Sequence, residues 1–244
     1  MPAPASPPPR LATRWISDAG GLRYHLTALR ERDRAWRPFR QAVADWLAAW
    51  QPAARHLLLV GPSAGHTLPA DWFARFDTVT AFEPDPIARW WLSRRLSGVP
   101  LHFDGRDVLA GPLPLADLAK ARDDTAILFC NVLGQVRPAG GGSWHPVLRD
   151  VLAGRRWASY HDVVSTAQPP RPDAPEALQA GGDLESVLAR FWRGGELALV
   201  DHETFRLDGQ RAADYALWRL RPGQTHLVEW VAHPGADQST GAAG

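Results

Sequence analysis

Residues 56–65 read HLLLVGPSAG, and this stretch decides the fold. An apolar run that stops at a glycine-bearing turn is a strand feeding a pocket of nucleotide size. A second apolar run, Thr78-Val79-Thr80-Ala81-Phe82, ends on Glu83, eighteen residues after Gly65. A glycine turn followed by an acid about 20 residues on is the spacing of a nucleotide-binding βαβ unit. The glycines let the backbone approach a ligand closely. The acid accepts hydrogen bonds from ribose hydroxyls.

Outward from this unit, helical and strand patterns alternate. Two helices precede it, over 18–34 (Leu22, Leu26 and Leu29 on one face) and over about 36–50, where Trp36, Phe39, Val43, Trp46, Leu47 and Trp50 keep a helical period. Pro69 to Phe76 reads as a short helix. Asp85 caps a further helix with Pro86 at its first position and Ile87, Trp91, Leu92 and Leu96 as its buried stripe. Strands follow at 100–103, 125–131 and 157–163, with helices at 115–122 and 144–153 between them. The run 125–131 is continuously apolar, as a parallel strand buried on both faces should be. A helix at 184–192 and an extra strand at 197–205 come next. Residues 215–220 and 226–231 then alternate in period two around Pro222-Gly223, an antiparallel hairpin.

The bulk numbers fit one α/β domain of 244 residues with 45% hydrophobic content. A formal charge of +1 supports neither a nucleic-acid nor a membrane partner, and no run approaches the length of a membrane span. One cysteine, Cys130, excludes an internal disulfide. With no signal-peptide pattern at the N-terminus, a cytoplasmic location is expected. The expected organisation is a Pro-rich disordered tail (1–12), an N-terminal helical cap (13–52), a Rossmann-like domain (53–234) and a flexible tail (235–244). Arginine outnumbers lysine 26 to 1, and tryptophan is abundant at 12 residues. Arg23, Arg30, Arg32, Arg34, Arg37 and Arg40 crowd the cap, where Glu31 and Asp33 suggest a paired, solvated face.

Five βα units closed by an antiparallel C-terminal hairpin resemble the class I S-adenosylmethionine-dependent methyltransferases, whose seventh strand runs antiparallel beside the sixth. The resemblance rests on four ordered stretches. Leu59-Val60-Gly61-Pro62-Ser63-Ala64-Gly65 is similar to the family's acid-x-G-x-G-x-G motif, with Leu59 at the acidic position and Ser63 at the middle glycine. Glu83, followed by Pro84, matches the ribose-binding acid. His102 to Leu109 matches the adenine-binding segment, with Asp107 and the neighbouring Val108 best aligned and Asp104 second. Ile127 to Gly134 matches the fourth strand, with Asn131 beside the methyl donor. The resemblance implies a doubly wound α/β sheet of about seven strands. It also implies S-adenosylmethionine as cofactor, held by Gly61, Pro62, Ser63, Gly65, Glu83, Pro84, Asp107, Val108 and Asn131. The acceptor is expected to be a small molecule.

For the acceptor side, His161 and Asn131 are the catalytic candidates, and Tyr160, Trp144 and His145 the substrate candidates. Tyr24 and His25 are placed to cover the cofactor. No resident metal is expected. Asp201-His202-Glu203 with His161 has the right ligand types, but adjacent strand residues point to opposite faces. Two alternatives remain. Leu59 and Ser63 favour a methyltransferase-like binding protein without catalysis. Gly61-x-Ser63-x-Gly65 also fits a hydrolase nucleophile elbow, with Asp162 or Asp201 and His226 or His233 completing a triad.

Overall fold

The computed structural model describes residues 21–110, 112–138, 142–193 and 197–235. The expected tail at 1–12, the cap up to residue 20, Gly140-Gly141 and residues 236–244 lie outside them. In chain order the elements are α1 (Gly21–Glu31), α2 (Arg37–Ala49), β1 (His56–Val60), a 3-10 turn (Asp71–Arg75), β2 (Thr78–Phe82), α3 (Pro86–Arg95), β3 (Leu101–Asp104) and α4 (Pro112–Ala119). They continue as β4 (Thr125–Cys130), α5 (Trp144–Val151), β5 (Arg156–Thr166), β6 (Ala177–Gly181), α6 (Leu184–Phe191), β7 (Val200–Asp201), β8 (Ala212–Arg221) and β9 (Gln224–His233).

The strands form one nine-stranded sheet in the order β3-β2-β1-β4-β5-β9-β8-β6, with β7 pairing β5 off this path. β1 to β5 are mutually parallel. β9 enters antiparallel beside β5, and β8 pairs antiparallel with β9. The chain reverses direction along the sheet at β1, which lies between β2 and β4. That switch point opens a crevice at the carboxyl ends of the strands.

Two apolar layers clamp the sheet. One joins α1, α2, the 3-10 turn and α3 to the face carrying Leu57, Leu59, Leu128, Tyr160 and Trp218. The other joins α4, α5 and α6 to the face carrying Val60, Ile127, Phe129 and Val163. Much of the tryptophan serves the first layer. The Trp36 indole donates to Leu220 O at 2.9 Å. Phe39 stacks on Trp218 and Trp46 on Trp230. The cap is therefore pinned to the C-terminal hairpin, and this fixes its position over the crevice.

Four expectations change. α1 turns His25 and Ala28 inward and leaves Leu26 and Leu29 57% and 48% exposed, so those leucines are not its buried stripe. The sheet gains β6, in a stretch that its prolines and alanines did not mark as a strand. The extra strand at 197–205 shrinks to β7. β5 runs on to Thr166, six residues past its last β4 partner, the Cys130–Tyr160 pair. On that overhang β7 takes the side that β4 has vacated. A register shift opposite Leu227/Val228 skips Val163. This bulge frees Val163 O to accept from the His202 N–H at 2.9 Å.

Candidate functional site

The glycine loop and Glu83 are built as one unit. Gly61 (φ 63°) and Gly65 (φ 65°) are left-handed, and so is Ser63 (φ 50°). Ser63 thus holds a backbone conformation that favours glycine. A Cβ on Gly61 would lie 2.8 Å from Val132 Cβ, so the loop after β4 packs directly on this glycine. The Glu83 carboxylate accepts from the Ser63 N–H at 2.8 Å and the Asp85 N–H at 3.0 Å. It therefore ties the loop after β1 to the loop after β2. Burial pushes the Glu83 carboxyl above its ordinary range, against those two donors.

The loop after β4 supplies the third wall. Asn131 is left-handed (φ 52°), and its N–H extends the ladder to Tyr160 O at 2.7 Å. Its Nδ2 donates to Asp162 Oδ2 at 3.2 Å, while its Oδ1 has no partner. A Cβ on Gly134 would fall 2.5 Å from Asp162 O, so only glycine lets this loop lie against β5. Tyr160 OH meets Thr67 Oγ1 at 2.9 Å. Gly61, Pro62, Ser63, Asn131, Tyr160 and Cys130 line a small cavity of about 50 Å³. Burial pushes the Cys130 thiol far up, so it is inert wall.

A larger cavity of about 260 Å³ adjoins it, and Tyr24, Gln135 and Trp218 line both. Its other walls include Asp162, Ser165, His202 and His226 from the β5 overhang, the β7 segment and β9. Asp162 Oδ2 lies 3.0 Å from His226 Nδ1. Burial opposes ionisation of Asp162, but His226, His202 and Asn131 together outweigh it and hold the carboxyl below its ordinary range. Burial, then the Asp162 charge, raises the Tyr24 phenol.

Several sequence candidates fall outside these cavities. His161 is completely buried on the opposite face of β5, with Ser159 Oγ at 3.0 Å and Thr204 O at 3.1 Å. The period of two puts Tyr160 and Asp162 on the cavity side and His161 away from it. Trp144 is packed in the second layer with its indole N–H on Val136 O at 2.7 Å. His145 is half-buried at the start of α5, and neither residue lines either of these two cavities. Asp107 folds back to accept from the Leu109 N–H at 3.0 Å, Val108 is core, and Pro84 is exposed.

In the cap, Tyr24 lines both cavities. His25 sits beneath it, 3.4 Å from His66 and 3.8 Å from Asp85. Arg32 and Arg40 both pair with Asp33. Of the acid–His–acid run, Asp201 and Glu203 are exposed and only His202 turns inward. Among the described residues, no hydrogen bond joins Ser63 Oγ to a histidine, and a 3-10 turn rather than a helix follows the elbow. The sequence signal for Gln135, Ser165 and Trp218 was nil. Asp162 could have been read from its shared face with Tyr160.

Five parallel strands, then an antiparallel β9 seated between β5 and β8, is the sheet that the resemblance implies. The fold is that of the class I methyltransferases. No family model and no curated protein matches the sequence. Several solved structures overlap with the chain. The N-methyltransferase NodS of Bradyrhizobium japonicum, solved with S-adenosylhomocysteine, shares 10% identity over 86% of this chain and 98% of its own, with a TM-score of 0.42. DhpI, solved with S-adenosylhomocysteine, shares 16% over 87% and 97%, at 0.38. YjhP of Escherichia coli shares 15% over 62% of this chain, at 0.37, and the match spans 59% of its length.

Proposed function

We propose that this chain is an S-adenosylmethionine-dependent methyltransferase acting on a small-molecule acceptor. One observation carries the reading. The Glu83 carboxylate and the Ser63 N–H join two loops at the switch point, and the Asn131 loop closes on Gly61 beside them. The cofactor would lie across the carboxyl ends of β1, β2 and β4. Glu83 would hold the ribose, Asp107 the adenine, and the small cavity the methionine end. The larger cavity would hold the acceptor.

Methyl transfer from a sulfonium is an in-line displacement. The acceptor's lone pair forms a bond to the methyl carbon as the carbon–sulfur bond breaks, and a neutral thioether leaves. The donor is already activated, so the protein's main task is alignment and exclusion of water. The buried walls Tyr160, Cys130 and Trp218 suit that task.

A second reading has its own observation. Leu59 is fully buried among apolar side chains, so the family's acidic position offers the cofactor's ammonium no charge. On that reading the chain is a binding or partner protein without turnover.

Calorimetric titration with S-adenosylmethionine and S-adenosylhomocysteine decides between them. Micromolar binding, about −8 kcal/mol, that is lost in Glu83→Ala and weakened in Asp107→Ala supports the cofactor site. Turnover with an acceptor library then supports catalysis. No binding by folded wild-type protein overturns the proposal.

A further inference from the structure

Asp162, His202 and His226 converge on one edge of the larger cavity. Each offers one ligand atom, and the three atoms lie within 4.8 Å of one another. They come from three separate elements, the β5 overhang, the strap after β7, and β9. Each is held in place by its backbone. His202 is fixed by its N–H on Val163 O at the bulge, and Asp162 is pressed by Gly134. Ser165 Oγ, 3.2 Å from Nε2, steadies the His202 ring.

Two details separate this cluster from an ordinary buried ion pair. His226 Nδ1 is 3.0 Å from Asp162 Oδ2, an ion-pair distance, yet the contact lacks the geometry of a hydrogen bond. The second carboxylate oxygen, Asp162 Oδ1, is buried with no partner at all. Leaving such an oxygen unmet costs about 1–3 kcal/mol. A cation at the point of convergence would satisfy both atoms.

We infer that Asp162, His202 and His226 form a binding site for a divalent first-row transition cation. Two imidazoles and one carboxylate suit Zn(II), Fe(II), Co(II) or Mn(II), and leave coordination positions open. Those positions face the cavity of about 260 Å³, where an oxygen or nitrogen donor of a small molecule completes the sphere. The other His226 nitrogen, Nε2, is 3.1 Å from the Gln224 amide. The Gln224 amide is itself held by Arg221 Nε, which donates to its oxygen at 2.7 Å, and its nitrogen faces the His226 ring. The site stands on these residues alone, whether or not the neighbouring cleft binds S-adenosylmethionine.

The full chain, stripped with chelator and without added cofactor, is titrated with Co(II) and followed by visible absorption. The cobalt is then displaced by Zn(II) in a calorimeter. The expected result is one cation per chain, with a d–d spectrum of nitrogen and oxygen ligands. Affinity should fall about 100-fold in His202→Ala and in Asp162→Asn. His202 is half-exposed and Asn keeps the volume of Asp, so both variants should remain folded by circular dichroism. His102→Ala, on the exposed side of β3, should bind as wild type. No cobalt spectrum from folded protein, or unchanged binding in His202→Ala, overturns the site and leaves a plain Asp162–His226 pair.

Discussion

β5 and β9 carry two histidine–carboxylate clusters back to back, and the two are built differently. On the inner face, Glu229 is wholly buried and every one of its contacts is met. It accepts from Tyr215 OH at 2.7 Å and from the Arg206 N–H at 2.8 Å, with His161 Nε2 at 3.4 Å. The Arg206 guanidinium in turn binds the carbonyls of Ala180, Gly182 and Gln210, while its Nε has no partner. On the outer face, Asp162 and His226 keep unmet atoms and look into a cavity. A buried carboxylate with both oxygens met fixes a fold, because its deletion strands its donors in low dielectric. The outer cluster, with unmet groups beside a cavity, is where the proposed cation would sit.

The contrast can be broken by mutation. The largest effect should come from Glu229→Ala, which strands the Tyr215 hydroxyl and the Arg206 N–H in the core. Stability measured by urea unfolding should fall by about 3–5 kcal/mol. Gly61→Val adds a Cβ 2.8 Å from Val132 at a left-handed φ. It should cost about 2 kcal/mol and abolish cofactor binding, read by the same unfolding curve and by calorimetry. Asp162→Asn should cost only about 1 kcal/mol at neutral pH. Were it to cost as much as Glu229→Ala, the two clusters would be alike and the contrast would fail.

Two further effects appear on acidification. Asp162 has its folded pKa below the ordinary carboxylate value, so its contribution is present above pH ~4 and disappears as pH falls through the lower folded pKa. The stability gap between wild type and Asp162→Asn should therefore close on acidification. His66 behaves as a buried neutral ring. Burial, then the Arg95 charge, pushes it down to about 3. The unfolded chain takes up that proton first, so stability should drop as pH falls from about 6.5 towards 3. His66→Phe should flatten that slope in a urea series across pH. A steeper slope in the variant would refute the assignment.

Much of the glycine-loop side was legible in the sequence. The apolar run 56–60, the glycines 61 and 65, and Glu83 at the end of the next run specify a strand, a turn and a strand by local chemistry alone. Asp85 capping α3 through the Ile87 N–H at 2.8 Å is equally local. The side of the larger cavity was not legible. His161 and Asp162 are neighbours in sequence, and alternation says only that they face opposite ways. Which face is the cavity depends on where the cap lands, and Trp36 and Phe39 set that through residues some 180 positions away.

The sequence by itself determined the parallel βα units, their order, and the acid that ties the first two loops, because hydrophobic period and turn chemistry act within a few residues. Only the tertiary structure decided the long overhang of β5, the bulge at Val163, the strap that brings in His202, and the pairing of Asp162 with His226 across strands. Those depend on register between segments far apart in the chain, and register is set by packing, which no single segment contains.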